Sequence, residues 1–201
     1  MINTFLAFDN EDVDLGKFFT ECSEDLISHF EINEIHYFLL NSPKLNSIII
    51  EATLEKIKTF IFLVYCHGSD TELLARGVNP FINSDNAFNF SNSFFYTCSC
   101  HTGKGLAKTL IENGCLSYIG YNNKFSIWDY NRPPFIDCAN FGIKLFLQGS
   151  SSEEILKRML DKYNEHIDNY NHDVFGAAIL LSNRRALRHL GSNIVIGDLV
   201  P

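Results

Sequence analysis

The sequence predicts an α/β domain built on a mainly parallel central sheet of about six strands, with helices on both faces. Two patterns carry this expectation. Apolar runs of four to eight residues alternate with segments of helical period, and the strongest run, residues 59–65 (TFIFLVY), is apolar throughout, as expected of a central parallel strand covered on both sides. Size supplies a third constraint. A chain of 201 residues, 46% of them hydrophobic, can bury about 70% of the surface its unfolded form exposes, so residues 1–201 are expected to form one domain without disulfides or a structural metal.

The first strand is expected at residues 4–8, ending at Asp9-Asn10. An acidic stretch suited to a helix N-terminus follows, and then Leu15, Phe18, Phe19, Cys22, Leu26 and Phe30 recur on one helical face. Residues 36–40 (HYFLL) read as the second strand, and Ser42-Pro43 reads as the start of a second helix carrying Leu45, Ile49, Ile50 and Leu54. The third strand, 59–65, runs into Cys66-His67-Gly68-Ser69-Asp70. Residues 71–93 are rich in Asn, Ser and Phe without helical period, and read as a surface excursion with room for at most a short hairpin. A strand over 94–100 (FFYTCSC) then leads through His101-Thr102-Gly103-Lys104-Gly105 into a helix that Asn113-Gly114 terminates. The next strand is 116–121, and a loop over 122–134 holds the single tryptophan, Trp128. Helices are expected at 137–147 and after the capping box Ser151/Glu154, whose apolar face is Ile155, Met159, Leu160, Tyr163 and Ile167. A last strand pair, 177–181 and 193–196, would flank the basic turn Asn183-Arg184-Arg185.

Charge and cysteine usage narrow the function classes. With 16 Lys plus Arg against 24 Asp plus Glu the net charge is −8, which argues against a nucleic-acid or anionic-membrane surface. No apolar run approaches the roughly 20 residues of a membrane span, and the N-terminus lacks a signal-peptide pattern, so a cytoplasmic protein is expected. Six cysteines in a reducing compartment are buried apolar residues or reactive thiols, not a disulfide framework. Cys22, Cys115 and Cys138 fall in core positions of helices or strands; Cys66, Cys98 and Cys100 fall at two strand ends.

Active sites of open parallel sheets form beyond the carboxyl ends of the strands. Here one such end carries His67-Gly68 and another Cys100-His101-Thr102-Gly103. Taken singly, each is usually a core thiol or a hydrogen-bonded structural histidine, and a functional role is the minority reading. As a pair, an imidazole that accepts the thiol proton and a helix N-terminus that favours the thiolate would make Cys100 a nucleophile. Gly68 N–H, with one of the N–H groups at the start of the following helix near Gly103 and Gly105, could form an oxyanion hole. No cofactor is needed for this chemistry.

These residues also resemble a known family. The motifs YCHGSD at 65–70, CSCHTGKGLAKTL at 98–110 and NGCLSYIGY at 113–121, with the tail AILLSNRRAL at 178–187, are similar to the caspase-like cysteine peptidases, specifically the prokaryotic CHAT-type branch, over roughly residues 58–190. The resemblance implies a three-layer caspase-haemoglobinase-like sandwich, with His67 as general base and Cys100, by its Cys-x-Thr-Gly spacing, as nucleophile of an endopeptidase. Cys98 stands where relatives that cut after Arg or Lys carry an Asp, which leaves P1 specificity open. Arg76, Arg132 and Arg184 match no motif for an Asp-binding pocket. Weaker substrate-binding candidates are Cys98, Asp70, whose other reading is a cap on the turn after Ser69, and Trp128. His101 is expected to point away.

The 33 residues from His67 to Cys100 are fewer than the roughly 50 of caspases, so the intervening hairpin is expected to be trimmed. Residues 79–93 are the candidate for a moving or partner-binding loop, a plain surface loop being the other reading. The family's roles imply a protein substrate in bacterial signalling or antiphage defence, cut after activation by a separate polypeptide. Two other classes are consistent with the same residues. One is a catalytically inactive caspase-like binding module. The other is a zinc site drawn from Cys66, His67, Cys98, Cys100 and His101, disfavoured by the absence of CxxC or HxxxH spacing.

Overall fold

A computed structural model describes residues 2–170 and 173–200. Its elements in chain order begin with β1 (Asn3–Phe8), α1 (Gly16–Ile32), β2 (Tyr37–Asn41), α2 (Ser47–Leu54) and β3 (Phe60–Tyr65). Three short strands follow, β4 (His67–Gly68), β5 (Leu73–Ala75) and β6 (Asn79–Ile82), then a single 3-10 turn, Ala87–Phe90. The chain continues through β7 (Ser93–Thr97), α3 (Gly105–Glu112), β8 (Ser117–Tyr121), α4 (Pro133–Leu147), α5 (Ser152–Asp168), α6 (Val174–Ala186) and β9 (Leu187–Gly191), and ends in a 3-10 turn, Ile196–Leu199.

The main sheet has the order β2-β1-β3-β7-β8-β9. Its first five strands are mutually parallel, and β9 closes the edge antiparallel to β8. Successive side chains of a strand point to opposite faces. In β3 this sends Ile61, Leu63 and Tyr65 into one core, with the buried faces of α1, α4, α5 and α6. Phe60, Phe62 and Val64 enter a second core, with α2, α3, β5, β6 and the 3-10 turn. Both faces of the sheet are therefore covered over its inner strands, which is why β3 reads as an unbroken apolar run. Polar groups in the cores are paired: the Tyr65 hydroxyl donates to Asn140 at 2.6 Å and the Tyr96 hydroxyl to the Ala139 carbonyl at 2.7 Å.

Three expectations need correction. Residues 177–181 lie in α6, not in a strand. Asp173 accepts the N–H groups of Phe175 and Gly176 and so starts a helix, whereas a short apolar run such as AILL fits a buried helix face as readily as a strand. Residues 193–196 form no strand, and β9, residues 187–191, takes the edge. The segment 71–93 is not a surface excursion. Phe81, Ile82, Ala87 and Phe90 are buried, Phe90 packs edge-on to Phe62 and Phe95 at 5.0 and 5.3 Å, and the Asn86 side chain ties the turn to the Phe81 carbonyl. Burying two phenylalanines stabilises this wall by about 1.5–3 kcal/mol each, which removes 79–93 as a candidate moving loop. Smaller shifts are that α2 begins after the N-cap Asn46, not at Pro43, and that α4 begins at Pro133-Pro134, where Pro suits the first turn.

Candidate functional site

The site is built where β3 and β7 run out together. Their parallel pairing ends at Val64 opposite Thr97. The Cys98 N–H then donates to Val64 O at 3.2 Å, and Cys66 Sγ lies 3.4 Å from Ser99 Oγ, so the two chains stay side by side past the strands. Gly68 seals the joint: a Cβ there would sit 2.7 Å from the Cys100 carbonyl oxygen and 2.7 Å from Thr102 Cγ2. Only glycine permits that approach. His67 and Cys100 thus stand at equivalent positions, each three residues beyond the last pair that joins the two strands.

His67 is held on three sides. Its Nε2 is 3.0 Å from Asp12 Oδ2, a carboxylate whose side chain is only 5% exposed. Phe19 meets the ring edge-on at 6.1 Å, and Gly77, at φ +70°, leaves the room beside the ring that a Cβ would close to 3.4 Å. Asp12 is fixed in turn, its Oδ1 accepting the N–H groups of Leu15 at 2.7 Å and Asp14 at 3.0 Å. With Nε2 on a carboxylate, Nδ1 is the ring nitrogen left to exchange a proton with a neighbour. Asp12 is the residue that sequence reasoning missed. The signal was present, because DNEDVD follows β1, the strand that flanks β3 on its other side.

Cys100 is held differently. Its Sγ accepts the Phe125 N–H at 3.3 Å and approaches the Phe125 carbonyl at 3.5 Å. Phe125 is buried against Phe18 at 5.8 Å and Tyr121 at 4.9 Å. Its neighbour Ser126 is clamped through both backbone groups by Asn183, at 3.0 and 2.7 Å. Burial pushes the Cys100 thiol up from its ordinary value, partly offset by the Phe125 N–H and the Lys124 charge, so the neutral thiol is the resting form. Among the described residues no hydrogen bond joins His67 to Cys100. Both nevertheless pack on the α1 side of the sheet, His67 against Phe19 and Cys100 against the same core cluster.

The candidate oxyanion donors divide. Gly103 N–H is spent on Tyr121 O at 2.9 Å and Gly105 N–H on Asp70 O at 3.0 Å, so the helix-side donors expected from sequence are occupied. Gly68 fares better. Ser69 N–H donates to Glu72 O at 2.9 Å, and antiparallel alternation then puts hydrogen-bonded pairs at 69/72 and 67/74, turning the Gly68 N–H away from β5. The Cys100 N–H makes no hydrogen bond to another backbone group among the described residues and lies beside its own sulfur.

The remaining candidates spread out. Cys98, at 2% exposure, lies in the core beneath the site, where burial raises its thiol, and it offers no surface to a substrate. Asp70 ties chain segments together: its carbonyl receives Gly105 and Leu106 N–H, its carboxylate holds Lys104 at 3.2 Å, and Ser69 Oγ supplies the cap on that turn. His101, at φ +62°, turns toward Asp70, with Nδ1 3.9 Å from the carboxylate. Trp128 stacks on Phe175 at 6.0 Å and packs beside Tyr130 at 5.2 Å. Arg76 pairs with Glu11, Arg132 with Glu21 and Asp129, and Arg184 reaches the Leu160 carbonyl. A shared zinc ion does not fit the thiols, since Cys66 belongs to one core and Cys98 to the core on the other face of the sheet. All six cysteines are free. Among the described residues no helix is long and apolar enough to cross a membrane.

No protein-family model and no curated protein matches the chain.

Proposed function

We propose that this chain is a cysteine endopeptidase of the caspase-haemoglobinase type, with Cys100 as nucleophile, His67 as general base and Asp12 as the group that orients His67. The supporting observation is the placement of His67 and Cys100 at equivalent positions beyond neighbouring strands, with the far nitrogen of His67 on a buried carboxylate. The order of the sheet, with its single antiparallel edge strand, is compatible with that fold.

In the proposed reaction Cys100 Sγ leaves the Phe125 carbonyl and gives its proton to His67 Nδ1. The thiolate attacks the scissile carbonyl, and the oxyanion is received by the N–H groups of Gly68 and Cys100. Protonated His67 then passes its proton to the departing amine, leaving a thioester on Cys100. Water, deprotonated by His67, hydrolyses the thioester and restores the thiol. Asp12 stabilises the imidazolium and holds Nε2, which leaves Nδ1 as the nitrogen that exchanges the proton. The substrate class that goes with the motif resemblance is a partner protein in bacterial signalling or antiphage defence, with a separate polypeptide as activator and a reducing, cytoplasmic setting.

A second reading, a catalytically silent module on the same sheet, is favoured by one observation: Cys100 bonds to Phe125 instead of His67. Cleavage of a degenerate fluorogenic peptide library by wild type, His67→Ala, Cys100→Ala and Cys98→Ala separates the two. The peptidase reading expects loss of cleavage by about 10³-fold or more in the first two variants and retention in Cys98→Ala. Equal cleavage by wild type and Cys100→Ala rejects it.

A further inference from the structure

A cavity with an unbalanced charge lies beside the start of α3, between the loop after β8 and the end of α6. It has a volume of about 650 Å³ and is lined by Lys104, Asn122, Asn123, Ser182, Arg185 and Arg188 together with apolar side chains of α6. That volume is in the range of small-ligand sites, roughly 300–1,000 Å³. Three cations converge here without a carboxylate in the lining, on a chain whose net charge is −8.

The cations are not consumed by the fold. Among the described residues the Arg185 side chain makes neither an ion pair nor a hydrogen bond. Arg188 spends Nη1 on the Arg185 and Leu187 carbonyls at 2.9 and 2.6 Å, which braces the guanidinium and leaves its other N–H groups. Lys104 is shared with Asp70, whose carboxylate is 56% exposed. The walls are also rigid: Asn122 N–H donates to Ala186 O at 2.8 Å and His101 N–H to Asn123 O at 3.1 Å, so the cavity keeps its shape without a ligand.

We propose that this cavity is a binding site for a small polyanion, a ligand bearing two or more phosphate or carboxylate groups, held by Arg185 and Arg188 with Lys104 opposite. Two guanidinium forks and one ammonium suit oxyanions, since Arg donates in a planar fork that matches carboxylate and phosphate, and the Asn and Ser side chains add neutral donors. The general field of an acidic protein repels anions, so binding must come from this local cluster. The inference is independent of the peptidase reading, because no residue of the cavity takes part in the proposed cleavage.

Calorimetric titration of the full chain with tripolyphosphate and, separately, with citrate tests it. The expected result is saturable 1:1 binding that weakens with added salt. Arg185→Gln is expected to weaken it about tenfold and the Arg185→Gln/Arg188→Gln double variant about a hundredfold, as for loss of charge-assisted hydrogen bonds, while Lys17→Gln, a surface cation elsewhere, leaves it unchanged. Tighter tripolyphosphate binding assigns a phosphate ligand and tighter citrate binding a polycarboxylate; both outcomes keep the site. Absence of saturable binding to either probe, wild-type affinity in Arg185→Gln, or equal weakening by Lys17→Gln overturns it. Arg185→Gln removes no hydrogen bond or ion pair among the described residues, so it remains decisive even where the double variant fails to fold.

Discussion

The carboxyl ends of β3 and β7 are neighbours with opposite degrees of preparation. At the β3 end, His67 is fixed by a buried carboxylate and an aromatic edge, as the proposed base would have to be before any substrate arrives. At the β7 end, the Cys100 thiol is satisfied by the backbone of the loop after β8 and pushed toward its neutral form by burial. One half of the proposed dyad is finished and the other is held back. On the proposed reading, the barrier to activity lies in the loop after β8 rather than in the sheet, and the Asn183 clamp on Ser126 is the tie whose release would free the thiol.

Breaking the finished half gives the largest expected effect. Asp12→Asn keeps the oxygen that accepts Leu15 and Asp14 N–H but removes the charge behind His67. Loss of a general base's orientation lowers turnover by about 10²–10⁴-fold, and kcat is expected to fall while thermal stability moves little. Peptide cleavage of the variant measured beside its melting curve checks this; unchanged turnover would return Asp12 to a purely structural role. Breaking the joint comes next. Gly68→Ala puts a methyl 2.7 Å from the Cys100 carbonyl. The two strand ends must separate, which is expected to cost about 1–3 kcal/mol of stability, as overpacking does, and to lower cleavage further by moving both the base and an oxyanion donor. Chemical denaturation and the same cleavage assay read the two effects.

The two ends also differ in how far the sequence reveals them. The inner parallel strands β1, β3, β7 and β8 were legible because burial on both faces leaves largely apolar runs, and α1, α3 and α5 because one face carries the apolar period. His67 and Cys100 were legible as strand-end residues with glycine close behind. Asp12 was not, because an acidic run before a helix satisfies the helix N-terminus equally well and only the β1–β3 adjacency turns one of its carboxylates onto His67. Phe125 was invisible for a stronger reason: its role is played by backbone N–H and C=O, which carry no sequence signature. In 71–93 the polar composition described the turns correctly but hid the phenylalanines, whose burial depends on the facing surface of β3 and β7. The α6 helix was misread because four apolar residues in a row fit either period.

Releasing the held-back half is the finest test of the comparison. Asn183 clamps both backbone groups of Ser126, one residue from the N–H that Cys100 sulfur accepts. Asn183→Ala removes both hydrogen bonds of that clamp, so the stability loss is expected to be about 1–3 kcal/mol. Mobility of the loop should loosen the Phe125 bracket and expose the thiol. Alkylation of Cys100 by iodoacetamide, located by peptide mass mapping, is expected to be slow in wild type at neutral pH. It should rise by about tenfold per pH unit, because only the thiolate reacts and the folded thiol titrates above its ordinary value. In Asn183→Ala the neutral-pH rate is expected to be several-fold faster, with the pH profile moved toward that of an ordinary thiol. Equal rates in the two proteins would show that Cys100 is held by its own turn and not by the loop.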